Sequence, residues 1–407
     1  MSLAVSRNAM PTQNQRVPTG LPGLRNQTSA PFFGLLDGVL VDGGGHFDFP
    51  GAIRRDHAEF VWTWVSRDLA PDIIPPTLAP DDPAAAVLLN AAMPELLTRI
   101  RGALSGASTS FEAERRLKSL LGGQEVWDRL PILLNALKHL GLLEKAKAFG
   151  RATNSLQDDA ALGAALQSMP LKDQAISALL MHAAVRQVAN PSRLVTAVVR
   201  IAGSGDESAV ARAGFSPLID ALLAHAQDQL PAVVQVGAFA DVDLICRAIE
   251  RFHKLIRAIS GYIEVSRGSR WASVITALTR TVSERVEPKL RTVAPDVNLA
   301  LRRQREGHDR HDPDQLLAAL NGVFLLATVR ECRDSLAVNQ TFDQVWVQTG
   351  QALEMHITRG LDTLRDNPAD KVTLARLEVG IKMAELRFNA DYADVLRRAR
   401  DGILKRT

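Results

Sequence analysis

The feature that most limits what this chain can fold into is an apolar repeat of about 3.6 residues. It is clearest in "DVDLICRAIERFHKLIRAISGYIEVS". Leu244, Ile245, Ala248, Ile249, Phe252, Leu255, Ile256, Ile259 and Ile263 fall on one face of a helix, and Asp243, Arg247, Glu250, Arg251, Lys254 and Arg257 fall on the other. A strand would spread the same apolar set over both faces of a sheet, so the segment is a helix with one buried side. The spacing recurs in "TFDQVWVQTGQALEMHITRGLDTLRD" through Phe342, Val345, Trp346, Thr349, Leu353, Ile357, Leu361 and Leu364. It recurs again in "PADKVTLARLEVGIKMAELRFN" through Leu374, Leu377, Ile381, Ala384 and Phe388. Links as short as Asn339-Gln340 and Asp366 to Pro368 force consecutive helices antiparallel. Strand signals are nearly missing after residue 50, and no Asn-Gly or Asp-Gly turn joins two alternating runs. The chain is therefore expected to be all-α: a domain of short helices followed by an antiparallel bundle of long amphipathic helices.

The middle of the chain is punctuated more often. Ser110 is placed to cap "FEAERRLKSL", and Gly122-Gly123 to close it. Pro131 marks a kink or a helix start, and Asn190-Pro191 and Gly203 stop two further helices. No repeat of solenoid length is evident. Helix length changes near Pro231 to Asp241, which sets the expected domains: a tail over 1–36, an N-terminal helical domain over 37–235, and a C-terminal bundle over 236–407. The tail is rich in Ser, Thr, Asn, Gln, Pro and Gly and is expected to be disordered. Residues 37–50 read as a short hairpin or an irregular apolar segment docked on the body, with Asp42-Gly43-Gly44-Gly45 as its turn. In "RRDHAEFVWTWVSRDL" the stripe is Phe60, Val61, Trp64, Val65 and Leu69. Trp62 falls off it, either as a second packing face or as an exposed aromatic contact for a partner.

Charge narrows the function classes. The formal net charge is +3 over 407 residues. Residues 1–36 hold Arg7, Arg16 and Arg25 and no acid, which leaves 45 basic against 45 acidic side chains in the rest. A balanced body lacks the basic footprint of a nucleic-acid binder. The densest basic run, "NLALRRQREGHDRH", is interrupted by acids and has no interleaved aromatics. Arg outnumbers Lys 38 to 10, read as the codon bias of a GC-rich, bacterial genome. No run of about 18 apolar residues occurs, so no membrane span is expected. Cys246 and Cys332, far apart in helical patterns, read as free buried thiols in a reducing, cytoplasmic setting. The acid-free start, without an apolar signal-peptide region, also resembles two kinds of targeting segment, a mitochondrial presequence and the leader of a type III secretion substrate, and Leu3 and Val5 fit the latter.

Catalytic signatures were sought and none is complete. "EGHDRHDPDQ" places His308 and His311 among acids, but Asp312-Pro313-Asp314-Gln315 reads as a helix cap, so no metal site is assigned. His182 and His356 sit on mainly apolar helices, and His57 on a helix surface. There is no His-Glu-x-x-His, no Gly-x-Ser-x-Gly and no phosphate-loop signature. No catalytic residue or cofactor is assigned. The expected function is non-enzymatic: a helical scaffold, adaptor or regulator acting through protein partners, oligomeric state unspecified. Two alternatives stay open, an exported type III effector or secretion regulator and an enzyme of unrecognised family with an inter-domain site.

Overall fold

The computed structural model describes residues 30–42, 47–74, 83–234, 241–302 and 312–405. The class is all-α, with strand limited to two residue pairs among the described residues. The chain forms two compact units, a smaller one of residues up to 37 and 57–128, and a larger one of residues 38–56 and 129–407. The change in helix length near 231–241, where residues 235–240 lie outside the described set, does not coincide with this division.

The smaller unit holds α1 (Ala30–Leu36), α2 (Arg55–Trp64) from His57 onward, a π-helical turn (Val65–Leu69), α3 (Pro83–Ala107), α4 (Phe111–Leu120) and the start of α5 (Gln124–Lys138). The Ser110 hydroxyl accepts from the Ala113 N–H at the start of α4, and Gly122 and Gly123 end it with φ of 93° and 124°. Two expectations need correcting. Most of the tail, 1–29, lies outside the described residues, but 30–36 is helical, with Phe32, Phe33 and Leu36 buried and α1 packed on α3. Trp62 is then covered: its ring stacks on Phe32 at 4.7 Å between centroids and it is 5% exposed. It packs in the core and offers no surface to a partner. The stripe rotates accordingly, and Phe60, expected inside, is exposed.

In the larger unit, β1 (Leu40–Val41) pairs with β2 (Ile53–Arg54) in parallel, so residues 37–50 are not a hairpin. The chain between the strands detours over the body instead. Phe49 enters the core, and the Phe47 backbone donates to Gln227 Oε1 (3.2 Å) and accepts from its Nε2 (3.0 Å). Gly51 closes the detour at φ 81°, where a Cβ would lie 2.2 Å from the Ala178 carbonyl oxygen, so only glycine fits. Short helices follow: α6 (Leu140–Thr153), α7 (Asp159–Gln167), α8 (Gln174–Val185), α9 (Arg193–Ala202), α10 (Glu207–Arg212), α11 (Ser216–Gln227) and α12 (Leu230–Val234). Helix α8 is buried nearly all round between α6 and α11.

The long helices are α13 (Val242–Tyr262), α14 (Arg270–Leu301), α15 (Pro313–Cys332), α16 (Asn339–Asp366), α17 (Lys371–Arg387) and α18 (Ala390–Leu404). The buried sides of α13 and α16 are those expected from the spacing, apart from the exposed Leu244 and the half-buried Trp346. Helix α14 runs 32 residues through Pro288 and Pro295. Both prolines are exposed and seven residues apart, so the carbonyls they orphan lie toward water. Helix α15 is apolar on most of its circumference because α13, α14, α16 and α17 all pack on it. It has the length and hydropathy of a membrane span, yet Leu316, Ala319, Val323, Leu326 and Val329 are core residues shared with those neighbours.

Candidate functional site

Three stretches far apart in sequence converge in the larger unit. Helix α8 ends at Val185, four residues short of the expected stop at Asn190-Pro191, leaving Arg186 and the turn Val188–Ser192 at its mouth. Helix α11 supplies His225, and α13, packed against α9 and α11, supplies Arg247, Glu250, Arg251, Lys254 and Leu255. Together they line a cleft of about 700 Å³. The amphipathic pattern that buries Phe252 and Ile256 turns Arg247, Arg251 and Lys254 outward at i, i+4 and i+7, and the turn Val188–Ser192 and α11 make that outer face one wall of a concave site.

The electrostatics are lopsided. Four cations and one carboxylate face the cleft. Arg186 is anchored from behind: it donates to the Leu40 carbonyl and sits 3.6 Å from the Asp228 carboxylate, an ion-pair contact too long for a hydrogen bond. Burial pushes the Asp228 carboxyl up to about 6, with Arg186 opposing and Asp42 adding to the shift. Burial, then Arg186 and Arg251, push the His225 imidazole down to about 4, and its Nδ1 has no hydrogen-bond partner. Arg247 pairs with Asp243 at 2.6 Å. Arg251 and Lys254 have no ion-pair partner among the described residues. The Ser192 hydroxyl is occupied by Asn190 Oδ1 at 2.5 Å, so the Ser and His here are not arranged as nucleophile and base.

A second cavity of about 420 Å³ lies between α16 and α17, with His356, Arg359, Asp362, Asp366 and Arg376 on its walls. His356 Nε2 is 3.0 Å from Asn298 Oδ1, and the wall charges are mixed in sign. A Ser–His pair does occur, His253 Nδ1 with Ser335 Oγ at 2.9 Å, but Ser335 is buried and ties the turn after α15 to α13.

The other residues marked by the sequence are placed as follows. His308 and His311 lie outside the described residues, but Asp312 caps α15 as expected, accepting from the Asp314 and Gln315 N–H groups at 3.0 and 3.3 Å. His57, expected on a surface, is buried, 3.7 Å from Glu125. His182 is fully enclosed, with both ring nitrogens unpartnered; burial, then Arg186 and His225, push it down to about 3. Cys246 and Cys332 are free and buried, and burial raises their thiols to about 11 and about 12. No group of three or more metal-ligating side chains converges among the described residues.

The smaller unit carries a different feature. Phe60, Val87, Leu88, Phe111 and Leu120 are exposed there, Phe111 at 83% and Val87 at 69%. Comparison with protein-family models, curated proteins and solved structures gives no match to this chain.

Proposed function

We propose that this is a non-enzymatic helical protein that acts by binding other proteins, as a scaffold, adaptor or regulator. The observation that carries the reading is Phe111, an aromatic ring held 83% exposed at the first position of a capped helix. Val87, Leu88, Phe60 and Leu120 add further open apolar surface in the same small unit. Large apolar side chains that stand open at this density are what a partner buries, and aromatic anchors dominate such contacts. The test is affinity capture from the native host with the full chain and with Phe111→Ser plus Leu120→Ser. A partner recovered in stoichiometric amount by the full chain and lost with the double variant supports the reading. A partner set unchanged by the substitutions contradicts it.

The setting that fits is a bacterial cytoplasm. Export through a type III system is the second reading, and its support is the acid-free composition of residues 1–36. The informative deletion is 2–29, because a deletion through 36 would remove the buried Phe32, Phe33 and Leu36. Loss of export with an unchanged circular-dichroism spectrum supports export. Secretion that persists after the deletion removes it.

A further inference from the structure

We propose that the cleft between the turn Val188–Ser192, α11 and α13 binds a small phosphate monoester with a hydroxylated body. This goes beyond protein binding and rests on a different unit of the chain.

Positive charge gathers on one side of the cleft. On one face of α13, Arg247, Arg251 and Lys254 stand at i, i+4 and i+7. Like charges at such spacing repel one another along a helix, and a bound anion relieves that repulsion. The ends of α13 show the usual solution, since Arg247 meets Asp243 at 2.6 Å and Arg257 meets Asp334 at 3.2 Å. Arg251 and Lys254, in the concave part, have no such partner among the described residues. Arg186, tied behind them to the Leu40 carbonyl, cannot swing away, and it shares its charge with the Asp228 carboxylate at 3.6 Å.

The volume of the cavity, about 700 Å³, is within the range of small-molecule sites and far larger than one phosphate needs. Its walls divide by chemistry. Arg251 and Lys254 suit a phosphate dianion. Val188, Pro191 and Leu255 offer an apolar wall for the carbon skeleton. Glu250, the one carboxylate in the cleft, would repel a second anionic group and accepts a hydrogen bond from a hydroxyl. His225 and Asn190 provide further polar contacts for hydroxyls. A ligand charged at one end and hydroxylated at the other satisfies all of these at once, whereas a polyanion would meet Glu250.

The test is calorimetric titration of the full chain at constant ionic strength with ribose 5-phosphate, inorganic phosphate and ribose as probes. Ribose 5-phosphate is expected to saturate one site per chain, more tightly than inorganic phosphate, with ribose giving no heat. Arg251→Ala with Lys254→Ala should weaken binding at least about tenfold, the loss expected for one charge-assisted hydrogen bond. Both positions lie on the outer face of α13, so the fold is retained, as a circular-dichroism melt will show. Arg280→Ala, on the exposed face of α14, should leave the affinity unchanged. No saturable binding of either phosphate probe at millimolar concentration, or equal affinity in the double variant, overturns the proposal. So does equal weakening by Arg280→Ala, which would mark a nonspecific charge effect.

Discussion

Asp220 is buried on α11 and accepts from two neighbours on α14, the Trp271 indole N–H at 3.0 Å and Arg270 Nη1 at 2.5 Å. Arg270 in turn donates to the Asp48 carbonyl at 2.9 Å and lies over the Phe49 ring, while Asp48 pairs with Arg129 at 2.6 Å. One acid thus ties two helices to the detour between β1 and β2. Burial raises its carboxyl, and Arg270 and Trp271 offset part of that rise. Asp220→Ala leaves the buried indole N–H without an acceptor and should cost about 1–3 kcal/mol in urea unfolding. Asp220→Asn keeps an acceptor and should cost less. Equal midpoints for the wild type and Asp220→Ala would contradict this account. None of it was legible in the sequence, because the three parties are 51 and 222 residues apart. The Asp312 cap was legible because its whole signature is local.

At the scale of elements, α1 decides the fate of Trp62. Removing residues 2–36 takes away Phe32, Phe33 and Leu36, each worth about 1.5–3 kcal/mol of burial, and uncovers Trp62. Tryptophan emission should shift to the red and the smaller unit should melt earlier, whereas deletion of 2–29 should change neither. Identical emission in the two deletions would contradict the assigned role of α1. The seven residues of α1 are two turns, too short to display a period, and they follow a polar stretch, so the sequence reads as tail. Helices α13 and α16 span 21 and 28 residues, which gives the period room to show. The outer face of α13 was also read correctly as charged. What the sequence could not show is that the turn Val188–Ser192 and α11 stand beside it and turn a solvated face into a cleft wall.

At the scale of the whole molecule, buried histidines set the response to acid. His182 and His225 titrate in the fold near 3 and 4, against about 6.5 when exposed, so their contribution is full above 6.5 and is lost as pH falls toward those values. Asp228 works the other way: raised to about 6 from 3.8, its contribution is full below 3.8 and is lost as pH rises through 6. Between pH 4 and 6 the unfolded chain binds about one proton more than the fold at these three groups, two from the histidines against one on Asp228. Stability should therefore fall on acidification across that window. Replacing His182 with Leu should flatten the slope. Stability that rises on acidification would show that the histidines are solvated.

The central claim is that the smaller unit acts by being covered by a protein partner, and it is tested most directly by photocrosslinking in the native host. A benzophenone side chain at position 111 is compared with one at position 395, an exposed valine on α18 of the larger unit. The account predicts one discrete adduct of constant mass from position 111 and none of that mass from position 395. The same adducts from both positions, or none from position 111 in cells that carry the protein, would contradict it.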